Sequence, residues 1–186
     1  MSTVVACARD GHIWMAADTQ TNIYNRPMYS AQKIHRYRIG GHETLIGVTG
    51  NGALSGLISS LTNPDVVPDF PADKLPQFVY KVATAITKAA MDLGVVDDGT
   101  LDGALLLGCR GQLWTIFHAQ AIHHPDGRAA LGSGEGPAIG ALDALLDLAD
   151  WEPAAAVQRA VEIAMNRDRH TGGVVQTEHL PAETSI

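Results

Sequence analysis

The sequence predicts an α+β fold in which two antiparallel β-sheets form a sandwich with helices outside both. Three observations carry this. Strand-like and helix-like stretches come in blocks: four strands, two helices, about four strands, two helices, one strand. Single alternation, the mark of a doubly wound parallel sheet, is absent. Two-residue turns at Asp10-Gly11, Gly40-Gly41 and Arg110-Gly111 join neighbouring strands, which makes those pairs antiparallel. Hydrophobic residues make up 46% against 18% charged, so a real core is available and a disordered chain is excluded. The length of 186 residues suits a single domain over 1–186.

The elements follow in order. Thr3 to Ala8 and His12 to Ala17 are apolar, β-rich runs around Asp10-Gly11, a pair suited to the positive φ values of a type I′ hairpin. The first strand is expected to start at the very N-terminus. Lys33 to Ile39 and Thr44 to Thr49 form a second pair. Ala53 to Leu61 carries Leu54, Leu57, Ile58 and Leu61 on one helical face. Asn63 to Pro71, with three prolines, reads as a loop. Leu75 to Leu93 reads as a longer helix with Phe78, Val79, Val82, Ile86 and Leu93 on one side, and Pro76 in its first turn. Strands resume at Gly103 to Cys109, Gln112 to His118, Ala119 to Ile122 and Arg128 to Gly132. Helices are expected over Pro137 to Ala149 and Pro153 to about Asn166. Val174 to His179 is the last strand and Pro181 to Ile186 a tail.

The net charge of −7 makes the chain a poor candidate for nucleic-acid or anionic-membrane binding, which basic residues drive. No uninterrupted apolar run approaches the roughly 18 residues of a spanning helix, and no secretory signal opens the chain, so the expected location is the cytoplasm. Cys7 and Cys109 sit in apolar runs and read as buried thiols rather than a disulfide framework.

The common catalytic constellations are weak or missing. Gly132-Ser133-Gly134-Glu135-Gly136 lacks the ending and spacing of a phosphate loop. His123 and His124 are adjacent and point to opposite faces of a strand, and no H-x-x-x-H or C-x-x-C pair exists, so no metal is expected. Gly52-Ala53-Leu54-Ser55-Gly56 has an extra residue before the serine of a nucleophile elbow. What remains is the start. Removal of Met1 ahead of the small Ser2 leaves a hydroxyl beside a free α-amine, whose pKa near ~7.7–8.0 lets it act as a base. Many proteins begin Met-Ser with no such meaning. Hairpin geometry, however, returns Asp18 to the neighbourhood of Ser2. An aspartate after so apolar a run needs a cation, and Lys33 is the candidate. The blander alternative makes Asp18 a turn cap and Lys33 a solvated edge charge.

Ser2-Thr3-Val4-Val5, Asp10-Gly11, Ala16-Ala17-Asp18 and Lys33-Ile34 together resemble the opening of proteasome β-subunits and the bacterial HslV-type peptidases, which are N-terminal-nucleophile hydrolases. Gly47 to Ala53, Leu131 to Gly136 and Asp168 to Gly173 extend the resemblance to about Leu180. It implies an αββα four-layer sandwich and a cofactor-free endopeptidase acting on unfolded proteins. Ser2 stands at the position of the nucleophilic threonine, with Asp18 and Lys33 as the charged pair that tunes it. Gly50 supplies the oxyanion N–H. Ser133, Asp168 and Thr171 surround the α-amine. Thr21 and Asn22 pair with an extended substrate, and Val48 and Gly52 help to shape its pocket. Thr3 competes as nucleophile only if two residues are lost. The family also implies stacked rings fed by an ATP-dependent unfoldase. Two alternatives stand beside this reading, an inactive ring-forming scaffold and a small-molecule amidase.

Overall fold

A four-stranded and a five-stranded antiparallel sheet face one another, each covered on its outer side by a pair of helices. The computed structural model describes residues 2–23, 26–60, 72–94, 96–97 and 100–183. The strands are β1 (Thr3–Arg9), β2 (His12–Asp18), β3 (Thr21–Ile23), β4 (Arg26–Met28), β5 (Ile34–Ile39), β6 (His42–Gly50), β7 (Val96–Asp97), β8 (Thr100–Leu101), β9 (Gly103–Cys109), β10 (Gln112–Phe117), β11 (Gln120–His124), β12 (Arg128–Gly132) and β13 (Val175–Leu180). The helices are α1 (Gly52–Ser60), α2 (Leu75–Asp92), α3 (Glu135–Asp147) and α4 (Pro153–Met165). One sheet runs β12-β1-β2-β13 and the other β11-β10-β9-β6-β5, while β3-β4 and β7-β8 are separate short ladders.

The period-2 alternation of strands builds the layers. Val4 and Ala6 of β1 face the second sheet, where Leu45, Leu106 and Leu113 meet them. Val5 and Cys7 face outward, onto Ala138 and Leu142 of α3 and Val157 and Val161 of α4. The second sheet turns Ile46, Val48, Leu105 and Leu107 outward onto α1 and α2. Because both faces are covered, these strands read as nearly unbroken apolar runs. Asp10 and Gly11 at φ 52° and 80° make the expected tight turn between β1 and β2.

Several expectations are corrected in detail. Leu93 does not join the apolar stripe of α2; it lies past the helix end and is 63% exposed. The third helix starts two residues earlier than Pro137, at Glu135. The hairpin β3-β4 and the ladder β7-β8 were not foreseen. Asn63 to Pro71 and Leu61 lie outside the described residues. His123 and His124 do face opposite ways: one ring lies 4.5 Å from Trp114 and the other meets the Thr115 hydroxyl at 2.8 Å. No helix among the described residues is long and apolar enough to cross a membrane.

Both cysteines are free and buried. Burial pushes the Cys7 thiol up and the Cys109 thiol up to about 11. Since the thiolate is the reactive form, neither thiol is expected to react with an aromatic disulfide reagent near neutral pH in the folded protein. Both react after denaturation. Rapid labelling of either one in the native state would contradict this packing.

Candidate active site

The site is assembled where strand ends of both sheets meet. β2 ends in Asp18, whose side chain is fully buried. Lys33 directly precedes β5 and is 4% exposed. Its Nζ donates to Asp18 Oδ1 at 2.7 Å and to the Gln20 carbonyl at 2.5 Å. The same Oδ1 accepts the Thr3 N–H at 2.8 Å, so Asp18 holds the peptide link that follows Ser2. Oδ2 accepts the N–H groups of Gln20 and Gly172, each at 3.0 Å. A buried carboxylate persists only when so compensated. Burial lowers the Lys33 pKa, while the charge and hydrogen bond of Asp18 oppose the shift without cancelling it.

A second polar group lies beside β1. β12 pairs with β1, Gly132 opposite Thr3, which brings Ser133 to the start of the chain. The turn between α4 and β13 supplies Asp168 and Thr171. Ser133 Oγ and Thr171 Oγ1 both donate to Asp168 Oδ2, at 2.5 and 2.7 Å. The Thr171 and Thr3 hydroxyls are 2.7 Å apart. Desolvation raises the Asp168 pKa, but hydrogen bonds from Ser133, Thr171 and the His170 N–H, with the charge of His170, carry it below its ordinary value. The stability this carboxylate contributes is therefore present above its unfolded pKa. It is lost as pH falls through the lower, folded one.

These groups back onto an open cavity of about 670 Å³ lined by Ser2, Thr21, Asn22, Lys33, Val48, Gly50 and Gly52, together with His35, Ser55 and Ser59. Seven of the sequence-predicted residues thus share one wall. Ser133, Asp168 and Thr171 are not on it and stand behind it, joined through Thr3. Thr3, the competing nucleophile, is also absent from the wall; its hydroxyl faces Thr171 and its N–H faces Asp18. Gly50 ends β6 at φ +100°, paired with Gly103 of β9, and a Cβ there would collide with the Gly103 Cα and the Asp102 carbonyl. Ser2, Lys33 and Gly50 thus border one cavity, into which a hydroxyl and a tuned cation can be presented. Among the described residues no three His, Cys, Asp or Glu side chains are gathered to hold a metal ion.

Sequence reasoning missed Gln20 and Gly172, which bind Asp18, and Gln176, whose Oε1 accepts the Lys33 N–H at 3.0 Å while its Nε2 donates to the Ala31 carbonyl. It also missed His35. The signal was present: His35 shares a strand face with Tyr37 and Ile39, and a histidine on such a buried face calls for a reason.

No family model matches the chain. A curated relative, the ATP-dependent protease subunit HslV of Pseudothermotoga lettingae, is 28% identical over 187 residues, 96% of this chain and 97% of the relative. The solved structure of Thiobacillus denitrificans BPH in complex with epoxomicin superposes with a TM-score of 0.80 at 20% identity, over 98% of this chain and all of that one. Eukaryotic HslV from Trypanosoma brucei gives 0.66 at 20% identity, over 95% and 98%. The two structures share the fold, and the HslV relative extends the likeness to sequence over nearly the whole chain. The chain is thus similar in sequence to HslV over nearly its whole length and has the fold of the HslV and BPH structures.

Proposed function

We propose that this chain is an endopeptidase subunit that cleaves peptide bonds in unfolded proteins, with Ser2 as nucleophile. The observation that carries the reading is the common cavity wall of Ser2, Lys33 and Gly50, with Lys33 paired to buried Asp18 directly behind it. Once Met1 is removed, the Ser2 α-amine takes the hydroxyl proton as Oγ attacks the peptide carbonyl. The Gly50 N–H stabilises the oxyanion that forms, and glycine lets the backbone come close to the substrate. Collapse breaks the C–N bond, and the ammonium returns its proton to the departing amine. Water, deprotonated by the same amine, then hydrolyses the serine ester. Asp18 and Lys33 supply fixed charge close to the reacting groups. Thr21 and Asn22 pair with the extended peptide, and Val48 and Gly52 border its side-chain pocket. Ser133, Asp168 and Thr171 hold the hydroxyl network next to the amine. No metal or organic cofactor takes part in these steps.

The same reading has the subunits stack as rings in the cytoplasm and receive unfolded chains from an ATP-driven partner, by analogy with the HslV relative. Two measurements test the chemistry. Intact mass of active protein is expected to lack Met1, and a peptide epoxyketone is expected to add once, at Ser2. Ser2→Ala should remove the adduct and lower peptide turnover by at least about 10³-fold. A retained Met1 in active protein, or full turnover by Ser2→Ala, would refute the mechanism. A free Ser2 that takes no adduct would favour the scaffold, and an adduct without peptide turnover the amidase.

A further inference from the structure

Lys33 belongs to no strand. β5 starts one residue later, at Ile34, so no ladder of its own fixes the backbone from which the ammonium projects. Gln176 meets that need from β13. It stands opposite Ala17 of β2, one step from the pairing of Val175 with Asp18. Cross-strand partners share a face, and Ala17 lies in the apolar layer between the sheets. A glutamine on that face needs hydrogen-bond partners. It finds two on one segment. Its Oε1 accepts the Lys33 N–H at 3.0 Å, and its Nε2 donates to the Ala31 carbonyl at 2.6 Å. A carbonyl and an N–H two residues apart are the groups a neighbouring antiparallel strand would bind. The carboxamide stands in for that strand.

The two peptide groups of Lys33 are held from opposite sides. Its carbonyl accepts the Val48 N–H of the five-stranded sheet at 2.8 Å. Its N–H is held from the four-stranded sheet, through Gln176. Asp18 belongs to that same sheet, on the strand with which β13 pairs. Gln176 therefore ties the backbone of the cation to the layer that carries its carboxylate. Asp18 Oδ1 binds both Lys33 Nζ and the Thr3 N–H, so the ammonium lies two hydrogen bonds from the peptide link that follows Ser2.

We propose that Gln176 is a positioning residue for the peptidase reaction: its carboxamide anchors the Lys33 backbone to β13 and so holds the ammonium at Asp18, next to Ser2. The inference rests on the peptidase reading. A cation held there repels the proton of the Ser2 amine and keeps more of that base free near neutral pH. Without the carboxamide the ammonium is less well placed, and the amine stays protonated to higher pH. A second tie joins the same two strands and supplies a control. Arg36 of β5 donates to Glu178 Oε2 at 2.7 Å and to the His179 carbonyl at 2.8 Å.

The test uses the purified full chain. Gln176→Met keeps the length and removes both hydrogen bonds, Gln176→Asn keeps the amide on a shorter stem, and Glu178→Ala cuts only the neighbouring tie. One readout is acylation of lysines mapped by mass spectrometry, with Lys74, Lys81 and Lys88 as internal references. The other is the pH profile of kcat/KM on a peptide. Gln176→Met is expected to raise Lys33 labelling by about tenfold, the scale of losing two hydrogen bonds. It should lower kcat/KM near pH 7 by a similar factor and move the acid limb to higher pH. Gln176→Asn should fall between Gln176→Met and the parent, and it decides the matter should Gln176→Met not fold. Glu178→Ala should match the parent in both readouts. Unchanged Lys33 labelling in the Gln176 variants, or an equal rise in Glu178→Ala, would overturn the anchor. Raised labelling with an unmoved pH profile would overturn its part in the reaction. Raised labelling when the parent itself has no turnover would refute the peptidase and keep the anchor. Parent turnover with unchanged labelling in the variants would do the reverse.

Discussion

Asp18→Ala is expected to lower folding stability by about 3–5 kcal/mol, the usual cost of removing one member of a buried ion pair, and to end peptide turnover. The side chain accepts the Lys33 ammonium and the N–H groups of Thr3, Gln20 and Gly172. Its loss leaves a cation that is 4% exposed without its counter-ion and the Thr3 and Gly172 N–H groups without an acceptor, while the Gln20 N–H keeps the Gly172 carbonyl. Denaturant unfolding reads the stability term. Lys33→Met alone leaves the carboxylate with its three N–H donors and should cost less. The double variant Asp18→Leu with Lys33→Met should be more stable than Asp18→Ala, yet equally inactive, which separates the structural role of the pair from its electrostatic one. Stability of Asp18→Ala within about 1 kcal/mol of the parent would show that the pair does not hold the site together. The pH dependence has a defined sign. The Lys33 pKa lies below its ordinary value, so the unfolded chain binds more protons in the window between the two values. This group's share of folding stability therefore rises with pH across that window.

Gly50→Ala should reduce kcat by roughly 10²–10³-fold, the scale of losing one oxyanion donor. The added Cβ meets the Gly103 Cα and the Asp102 carbonyl, neither of which is a side chain free to turn away. Positive φ adds about 1–2 kcal/mol of strain for any residue with a Cβ. The end of β6 must then part from β9, and the N–H at its tip moves with it. Stability should fall as well, so the decisive readout is kcat measured where the variant is fully folded. Full activity there would remove Gly50 from the mechanism. A variant that still binds a peptide but fails to turn it over would support the oxyanion role.

The layers were legible in the sequence because covered strands leave apolar runs and outer helices leave stripes. The blocks of elements and the Asp10-Gly11 turn carried the topology. The conjunction of Asp18 with Lys33 was also legible, since an aspartate behind Ile13, Met15, Ala16 and Ala17 has no stable state without a cation. What escaped was everything set by backbone atoms. Gly172 supplies the N–H that binds Asp18 and the carbonyl that receives the N–H groups of Thr19 and Gln20 at 3.1 and 2.9 Å, and no side chain announces that. The β3-β4 ladder escaped because Arg26 and Pro27 carry no strand pattern. Its three pairs run from Thr21 with Met28 to Ile23 with Arg26, and the β4 residues Arg26, Pro27 and Met28 are all exposed.

The polar frame around Thr3 joins residues that are distant in sequence: the hydroxyls of Thr3 and Thr171 lie 168 positions apart. β13, which follows Thr171, adds the last strand of its sheet against β2. A chain emerging from a ribosome therefore exposes Ser2 and Thr3 long before Asp168 and Thr171 are made. On the proposed peptidase reading, synthesis order would keep the growing polypeptide harmless until that final stretch docks.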